Sequence, residues 1–418
     1  MTVITTNLRG STFIKWAINF SFIRLILAQF LLDVNSDIDP GAIQLHSQYM
    51  EEYLRRSHVF QKRLGIEQLS KKEARYLLFR LAGPLMQAKL HRLVNLANVP
   101  VTFIHGNPHI DNYVRTMNGS AMMDFDRSRM GPYCWDIIRF LSSLSLRKNE
   151  DGGFLDHKVV EHFIDAYITH FLHPEIPSRQ LKMLKNIEPQ KWQINTREYL
   201  RSDRRWAKKM REHPLPPKNE LANTILKQFL ESRGELSLLN EFGISELGHT
   251  PGSLGKKHFI YSLMPLNSDS RKDAILLDIK EVYDEKNTKY FFSPFPHHGL
   301  RMIEASKIFA DGMEERQGYC TVNNKQYWGR QIPSFAIKVK KFLNDDELSD
   351  FAYSVGSELG KGHRKGLKDP KLAEVIEKDF VQNFDKYYKV SKLLTYELSL
   401  SFEFMRRKIE LYQDYRSW

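Results

Sequence analysis

Between Phe103 and Asp136 the chain gathers His105, Asn107, His109, Asp111, Asn112, Asp124, Asp126 and Asp136, all able to offer oxygen or nitrogen to a cation or a proton. Carboxylates and carboxamides are hard oxygen ligands, and a set delivered by neighbouring short strands suits Mg²⁺ held against a phosphate. The imidazoles admit a second reading, in which His105, His109 and Asp111 join Asp124 and Asp126 in a two-metal hydrolase. That reading is the weaker one: Gly106 and Pro108 belong to a rigid loop rather than to a helix presenting both imidazoles.

Hydropathy shows which elements must carry these groups. Val101–Ile104 is a strand entering a polar loop, Tyr113–Val114 leads to a turn at Asn118-Gly119, and the apolar step Ala121–Met123 delivers Asp124 and Asp126. A second constellation lies downstream. Thr250-Pro251-Gly252-Ser253-Leu254-Gly255 precedes the apolar run His258–Leu263, and a polar turn then leads to a strand, Ala274–Ile279, with Lys280-Glu281 at its end. Gly252, Ser253 and Gly255 would let backbone approach a phosphate, and Lys280 would pair with its oxygens. Such a turn alone usually just joins two strands; the spacing to Lys280 is what singles it out. Leu300–Phe309 is a helix carrying Glu304, placed to pair with Lys280. Tyr319–Val322 and Gln326–Ile332 are further strands, ending at Pro333.

The first segment resembles the catalytic and metal-binding loops of the protein-kinase-like phosphotransferases, the branch with aminoglycoside phosphotransferases and choline kinases. Their pattern is His-Gly-Asp-x-His-x-x-Asn, then Ile-Asp-Phe/Trp-Asp/Glu, then Gly-Asp/Pro-x-x-(Trp)-Asp. Here it reads His105-Gly106-Asn107-Pro108-His109-Ile110-Asp111-Asn112, Met123-Asp124-Phe125-Asp126 and Gly131-Pro132-Tyr133-Cys134-Trp135-Asp136. The resemblance implies ATP and Mg²⁺ as cofactors, Asn112 and Asp124 as metal ligands with Asp126 auxiliary, His105 as a structural residue, and Asp136 as acceptor of backbone N–H groups. The family's catalytic Asp is Asn107 here. An amide can orient a hydroxyl but cannot take its proton, which leaves Asp111 as a carboxylate that could stand in.

The downstream piece resembles the lid and lysine of a kinase small lobe, and catalytic loop before phosphate loop implies a circular permutation. That order is similar to one uncharacterised, mostly bacterial domain family of the kinase-like superfamily. The matching residues are Phe79-Arg80-Leu81-Ala82, the Gly106–Asn112 loop, Asp124–Arg127, Gly252–Gly255 and Lys280-Glu281-Val282; Arg127 and Pro251 depart from its pattern. If the motifs form one site, Lys280 must face Asp124 across a cleft.

With 418 residues and 42% apolar content the chain is long enough for one large two-lobed unit or two to three modest domains, and no Gly/Ser-rich or Pro-rich linker divides it. The resemblance implies the first, a two-lobed, circularly permuted kinase-like α+β fold. Its parts would be residues 1–240 with the large-lobe core, 241–335 as a small β-rich nucleotide-binding lobe, and 336–418 as helices completing the large lobe. From Lys371 to Tyr415 two or more amphipathic helices are expected. Two cysteines, Cys134 and Cys320, support neither a disulfide framework nor a zinc site. Thr12–Leu32 is apolar but interrupted by Lys15, Asn19, Arg24 and Gln29, short of the ~20 apolar residues that cross a bilayer. It reads as a helix docked on the large lobe of a cytoplasmic protein, with membrane-surface contact as the minor alternative.

The net charge of +12 concentrates between Lys191 and Lys218, where Arg201, Arg205 and Lys208/Lys209 are expected on one helix face, interleaved with Trp192, Tyr199 and Trp206. A solvated face is the first reading, a site for nucleotide phosphates or an anionic substrate the second, and nucleic acid a minor third. The function expected is ATP–Mg²⁺-dependent phosphotransfer to an unknown small-molecule or protein acceptor. Its rival is a pseudokinase serving as a nucleotide-binding interaction module, towards which Asn107 pulls.

Overall fold

The computed structural model describes residues 75–416 apart from 77, 81, 117–118, 149–154, 179–180, 183–195, 203–204, 252–255, 268–273, 285, 333–336 and 339–342. The apolar segment Thr12–Leu32 therefore lies outside the described residues, as do Gly252, Ser253 and Gly255. The architecture is mixed α+β, as the patterning predicts. Among the described residues no helix is long and apolar enough to cross a membrane.

Helix α1 (Gly83–Leu93) begins at the Gly83-Pro84 pair, where a proline costs little because the first N–H groups of a helix lack partners. Four short strands follow: β1 (Val101–Ile104), β2 (Tyr113–Thr116), β3 (Gly119–Met122) and β4 (Arg129–Pro132). β1 pairs with β4, Phe103 opposite Met130, and β2 with β3, so both polar loops of this region emerge from ladders. Helix α2 (Cys134–Lys148) runs through the core, with Trp135, Ile137, Ile138, Phe140, Leu141 and Leu144 fully buried. Helix α3 (His157–Leu172) is capped by the Asp156 carboxylate, which accepts from the N–H of Lys158 at 2.9 Å.

The basic stretch forms two short helices, α4 (Thr196–Arg201) and α5 (Arg205–Glu212), where a single face was expected. Ser202 closes the first by donating from both N–H and hydroxyl to the Tyr199 carbonyl, so Arg201 and Arg205 sit on successive helices. Strand β5 (Pro214–Leu215), helix α6 (Glu220–Ser232), and strands β6 (Phe242–Pro251), β7 (Lys257–Pro265) and β8 (Ile275–Glu281) come next. Helix α7 (His298–Phe309) and strands β9 (Gly318–Val322) and β10 (Lys325–Gln331) complete a six-stranded antiparallel sheet, ordered β5-β6-β7-β8-β10-β9. The β9–β10 hairpin turns on Asn323 (φ 51°) and Asn324 (φ 57°), the left-handed pair that a two-residue hairpin needs.

Each face of this sheet has its own cover. Leu247, Phe259, Tyr261, Leu277, Ile279 and Tyr327 pack on α6, while Ile260, Leu276 and Ile332 pack on Tyr199, Leu200, Ala207 and Met210 of α4 and α5. The hairpin of basic helices thus docks by its apolar side and leaves Arg201, Lys208 and Arg211 exposed.

Strand β11 (Ile337–Lys338) adds to the edge of β2, and helix α8 (Asp345–Lys365) opens with a full capping box between Asn344 and Glu347. α8 lies against α3 so closely that a Cβ at Gly360 would collide with the Tyr167 carbonyl. The chain ends in one long helix, α9 (Leu372–Arg416), rather than two or more. No glycine or proline occurs between Lys371 and Arg416 to break it.

Candidate functional site

The His105–Asn112 loop leaves β1 and is held by a carboxylate from the first turn of α2. Asp136, fully buried, accepts the N–H of His105 at 2.7 Å on one oxygen and that of Gly106 at 2.9 Å on the other. The Trp135 indole donates to the Gly106 carbonyl at 2.8 Å, and His363 Nε2 on α8 meets Asp136 at 3.1 Å. Gly106 has φ +83°, and a Cβ there would strike the Arg127 carbonyl, so this loop and the acidic loop Asp124–Ser128 touch backbone to backbone. His105 is fully buried, its ring 5.2 Å from that of Phe125, and its environment lowers its pKa, chiefly through desolvation. Its ring lies inside the scaffold, packed on Phe125 and Phe309.

The acidic loop and Lys280 meet. Lys280 Nζ lies 2.8 Å and 2.9 Å from the two carboxylate oxygens of Asp126 and 3.7 Å from Asp124 Oδ1. Burial opposes the charge of Lys280, yet the two carboxylates outweigh it and hold its pKa above the ordinary lysine value. Burial likewise pushes Asp126 up, against the pull of Lys280, and neighbouring Asp124 adds to the rise. Asp124 is the one non-glycine residue of the loop with a left-handed backbone, φ 74° and ψ 67°, a conformation that costs of order 1 kcal/mol and tends to persist where function requires it. Its side chain is 44% exposed, turned out of the core. Asn112 is buried and donates from Nδ2 to the Asn107 carbonyl at 3.2 Å, and its own carbonyl accepts the Met123 N–H at 2.8 Å.

With Nδ2 engaged, Asn112 has Oδ1 to offer a cation, and Asp124, 3.7 Å from Lys280, turns its carboxylate outward. These two fit Mg²⁺, which takes one or two protein oxygens and completes its octahedron with phosphates and water. Asp126 is committed to Lys280 and would have to exchange that partner for a metal. No group of three His, Cys, Asp or Glu side chains suited to a metal occurs among the described residues, which leaves the two-metal hydrolase reading unsupported.

Asn107 is held from behind. Arg139 Nε on α2 donates to its Oδ1 at 2.9 Å, and the remaining guanidinium nitrogens reach the Phe79 carbonyl (2.7 Å), the Arg80 carbonyl (3.2 Å) and Met86 Sδ (2.9 Å). Burial, followed by the like charge of Arg127, presses the Arg139 pKa well below the arginine value. Asp111 has both oxygens in ion pairs, one with Arg80 Nη1 at 3.3 Å and the other with Arg147 Nη2.

A sequence-family model described as "Uncharacterized protein conserved in bacteria (DUF2252)" matches residues 69–212 and 250–394, more than half of the chain. The chain belongs to that family. No curated protein and no solved structure matches it.

In this DUF2252 chain the expected Lys280–Glu304 pair does not form. Glu304 pairs with Lys307 one turn along α7 at 2.7 Å, while Lys280 is captured by the closer carboxylates of the acidic loop. The residue of α7 that reaches the site is Arg301. It is buried, and it donates to the Asp126 carbonyl at 2.9 Å and to the Ser128 and Phe125 carbonyls, fastening helix to acidic loop.

Beside Lys280, on the same face of β8, Asp278 anchors a buried network that the motif reading missed. Its carboxylate bonds His258 Nε2, whose Nδ1 meets the Thr250 hydroxyl at 3.1 Å. Arg330 on β10 lies 3.9 Å from Asp278 and pairs with buried Glu314. Burial would raise the Asp278 pKa, but His258 and then Arg330 and Lys280 overcome it and hold it well below the carboxylate range. The signal was present in Ile275-Leu276-Leu277-Asp278-Ile279-Lys280, where strand alternation puts Asp278 and Lys280 on one face.

Proposed function

We propose that this chain has a circularly permuted, two-lobed kinase-like fold that binds ATP–Mg²⁺ between the six-stranded sheet and the helical body, and transfers its terminal phosphoryl group. The observation that carries this is the meeting of Lys280 with Asp126 and Asp124, residues 154 positions or more apart whose types suit phosphate and metal. Lys280 would exchange its carboxylates for phosphate oxygens, and Asn112 and Asp124 would hold the ion that neutralises the phosphates. The Asp136-braced loop keeps Asn107 and Asn112 in register with the acidic loop.

The test is calorimetric titration of ATP with Mg²⁺ and with EDTA. Affinity should require Mg²⁺, and Asp124→Asn should lose the metal dependence. Equal affinity in EDTA would remove the metal roles, and no binding at all would remove the proposal. A second reading, a nucleotide-binding interaction module without turnover, draws on the neutral amide of Asn107 and on the arginine pairs that occupy both oxygens of Asp111. Binding without label transfer to any acceptor would favour it.

A further inference from the structure

Position 107 is wired to give a hydrogen bond rather than to receive a proton. A guanidinium has donors only, so the Asn107 atom 2.9 Å from Arg139 Nε must be the carbonyl oxygen. The amide nitrogen Nδ2 is therefore the atom Asn107 has left to offer, and it makes no hydrogen bond among the described residues. A donor at that place suits a ligand atom with lone pairs and no proton. Arg139 is fully buried, and its described partners are an amide oxygen, two backbone carbonyls, a thioether and the Phe79 ring, with no carboxylate among them. A buried cation behind the amide strengthens the amide as a donor. Partly exposed Arg80 adds a second guanidinium at the same loop and shares Asp111 with Arg147. A hydroxyl acceptor arriving at Asn107 would meet an amide donor where a base would be needed, and an anionic one would meet donors and positive charge.

We propose that the acceptor is an oxyanion, a carboxylate or phosphate oxygen held by Asn107 Nδ2 on the Arg139–Arg80 side of the loop, and that it attacks ATP without a general base. The proposal rests on the phosphotransfer reading and deepens it by naming the acceptor's chemical class. An oxygen lone pair of the acceptor forms the new O–P bond to the γ-phosphorus. The bond from that phosphorus to the β,γ-bridging oxygen breaks, and its electron pair leaves with ADP. No proton changes hands, because such an acceptor is already ionised near neutral pH. The product is an acyl phosphate or a phosphoanhydride. The roughly 10²–10⁴-fold that a base supplies to hydroxyl phosphorylation is then not needed.

The experiment uses the full chain saturated with Mg²⁺ and a non-hydrolysable ATP analogue, so that the γ-phosphate position is filled. Inorganic phosphate and succinate are titrated separately by calorimetry, with glycerol as the uncharged control. One of the two anions should bind saturably and glycerol should not, and which one binds distinguishes a phosphate acceptor from a carboxylate. Asn107→Asp, which turns the donor into a carboxylate paired with Arg139, should weaken that binding roughly tenfold or more through like-charge repulsion. Asn107→Leu, which removes the donor without adding charge, should weaken it less and gives the reading if the Asp variant misfolds. Failure of both anions to bind the nucleotide-loaded protein, or undiminished binding in the variants, overturns the proposal and leaves the nucleotide reading intact. Faster ATP turnover in Asn107→Asp would overturn it too, by showing that position 107 wants a base. Absence of nucleotide binding would remove both readings together.

Discussion

Two arginines flank the site, Arg139 fully buried and Arg330 partly so, and the protein treats them in opposite ways. On the sheet, Arg330 is opposed by burial but sits with Glu314 and Asp278, which more than compensate and raise its pKa. On the loop side, Arg139 has backbone carbonyls and an amide for partners, and burial with like charges lowers its pKa. A compensated charge belongs to the scaffold: the attraction is spent inside the fold. An uncompensated one keeps its field for whatever arrives. On the proposed reading the sheet network holds β7, β8 and β10 in register behind Lys280, and the loop arginine serves the ligand.

The largest effect should come from breaking the compensated side. Arg330→Leu leaves Glu314 buried without its paired cation and takes one of three positive neighbours from Asp278, and removing one partner of a buried pair costs about 3–5 kcal/mol. Urea denaturation should show that loss; a loss below about 1 kcal/mol would mean the network is solvated and the contrast with Arg139 is false. Next is Glu358 on α8, whose Oε2 accepts the N–H of Met122 at 2.9 Å just ahead of Asp124. Burial outweighs that bond and pushes its pKa from 4.5 up to about 8. A carboxyl raised on folding binds its proton more tightly in the native state, so its contribution is greatest below the unfolded pKa and declines as pH rises towards 8. Between acid and neutral pH the decline should be about 3 kcal/mol, and Glu358→Gln should flatten that slope. An unchanged slope would show that this carboxyl is ionised in the fold.

Arg139→Met should cost less than Arg330→Leu, about 1–3 kcal/mol, because it strands carbonyls rather than carboxylates. Equal losses at the two sites would erase the distinction. The smallest effect is expected at Glu304, in an exposed pair with Lys307: Glu304→Ala should change stability by less than about 0.5 kcal/mol and leave ATP affinity unaltered. Loss of ATP affinity in that variant would restore the Lys280–Glu304 partnership that the structure does not form.

The loop half of the site was legible because it is nearly local. His105 to Asp136 spans one supersecondary unit, and strand alternation with turn residues places its polar groups almost without reference to the rest of the chain. Lys280 could be named as a candidate phosphate ligand from its strand and the turn before it and set opposite Asp124, but its nearest partner, Asp126, could not. Whether a lysine reaches Glu304 or Asp126 depends on how α7 and β8 are set against the acidic loop, and Arg301 fixes that by bonding the loop's carbonyls. Arg139 escaped notice because in sequence it is one more cation in an apolar helix. Only packing removes water and carboxylates from around it.

The residues alone therefore determined the α+β class and the order of the two constellations, since each follows from side-chain chemistry and a period of two. They also determined the ends of several helices, through the Asp156 and Asn344 caps and the Gly83-Pro84 break. Tertiary structure decided which charges are compensated, that one 45-residue helix closes the chain, and that Asn107 turns its oxygen inward and its nitrogen outward. Those outcomes depend on distances between groups far apart in sequence, and Coulomb energies and desolvation respond to distance and burial, which no local pattern records.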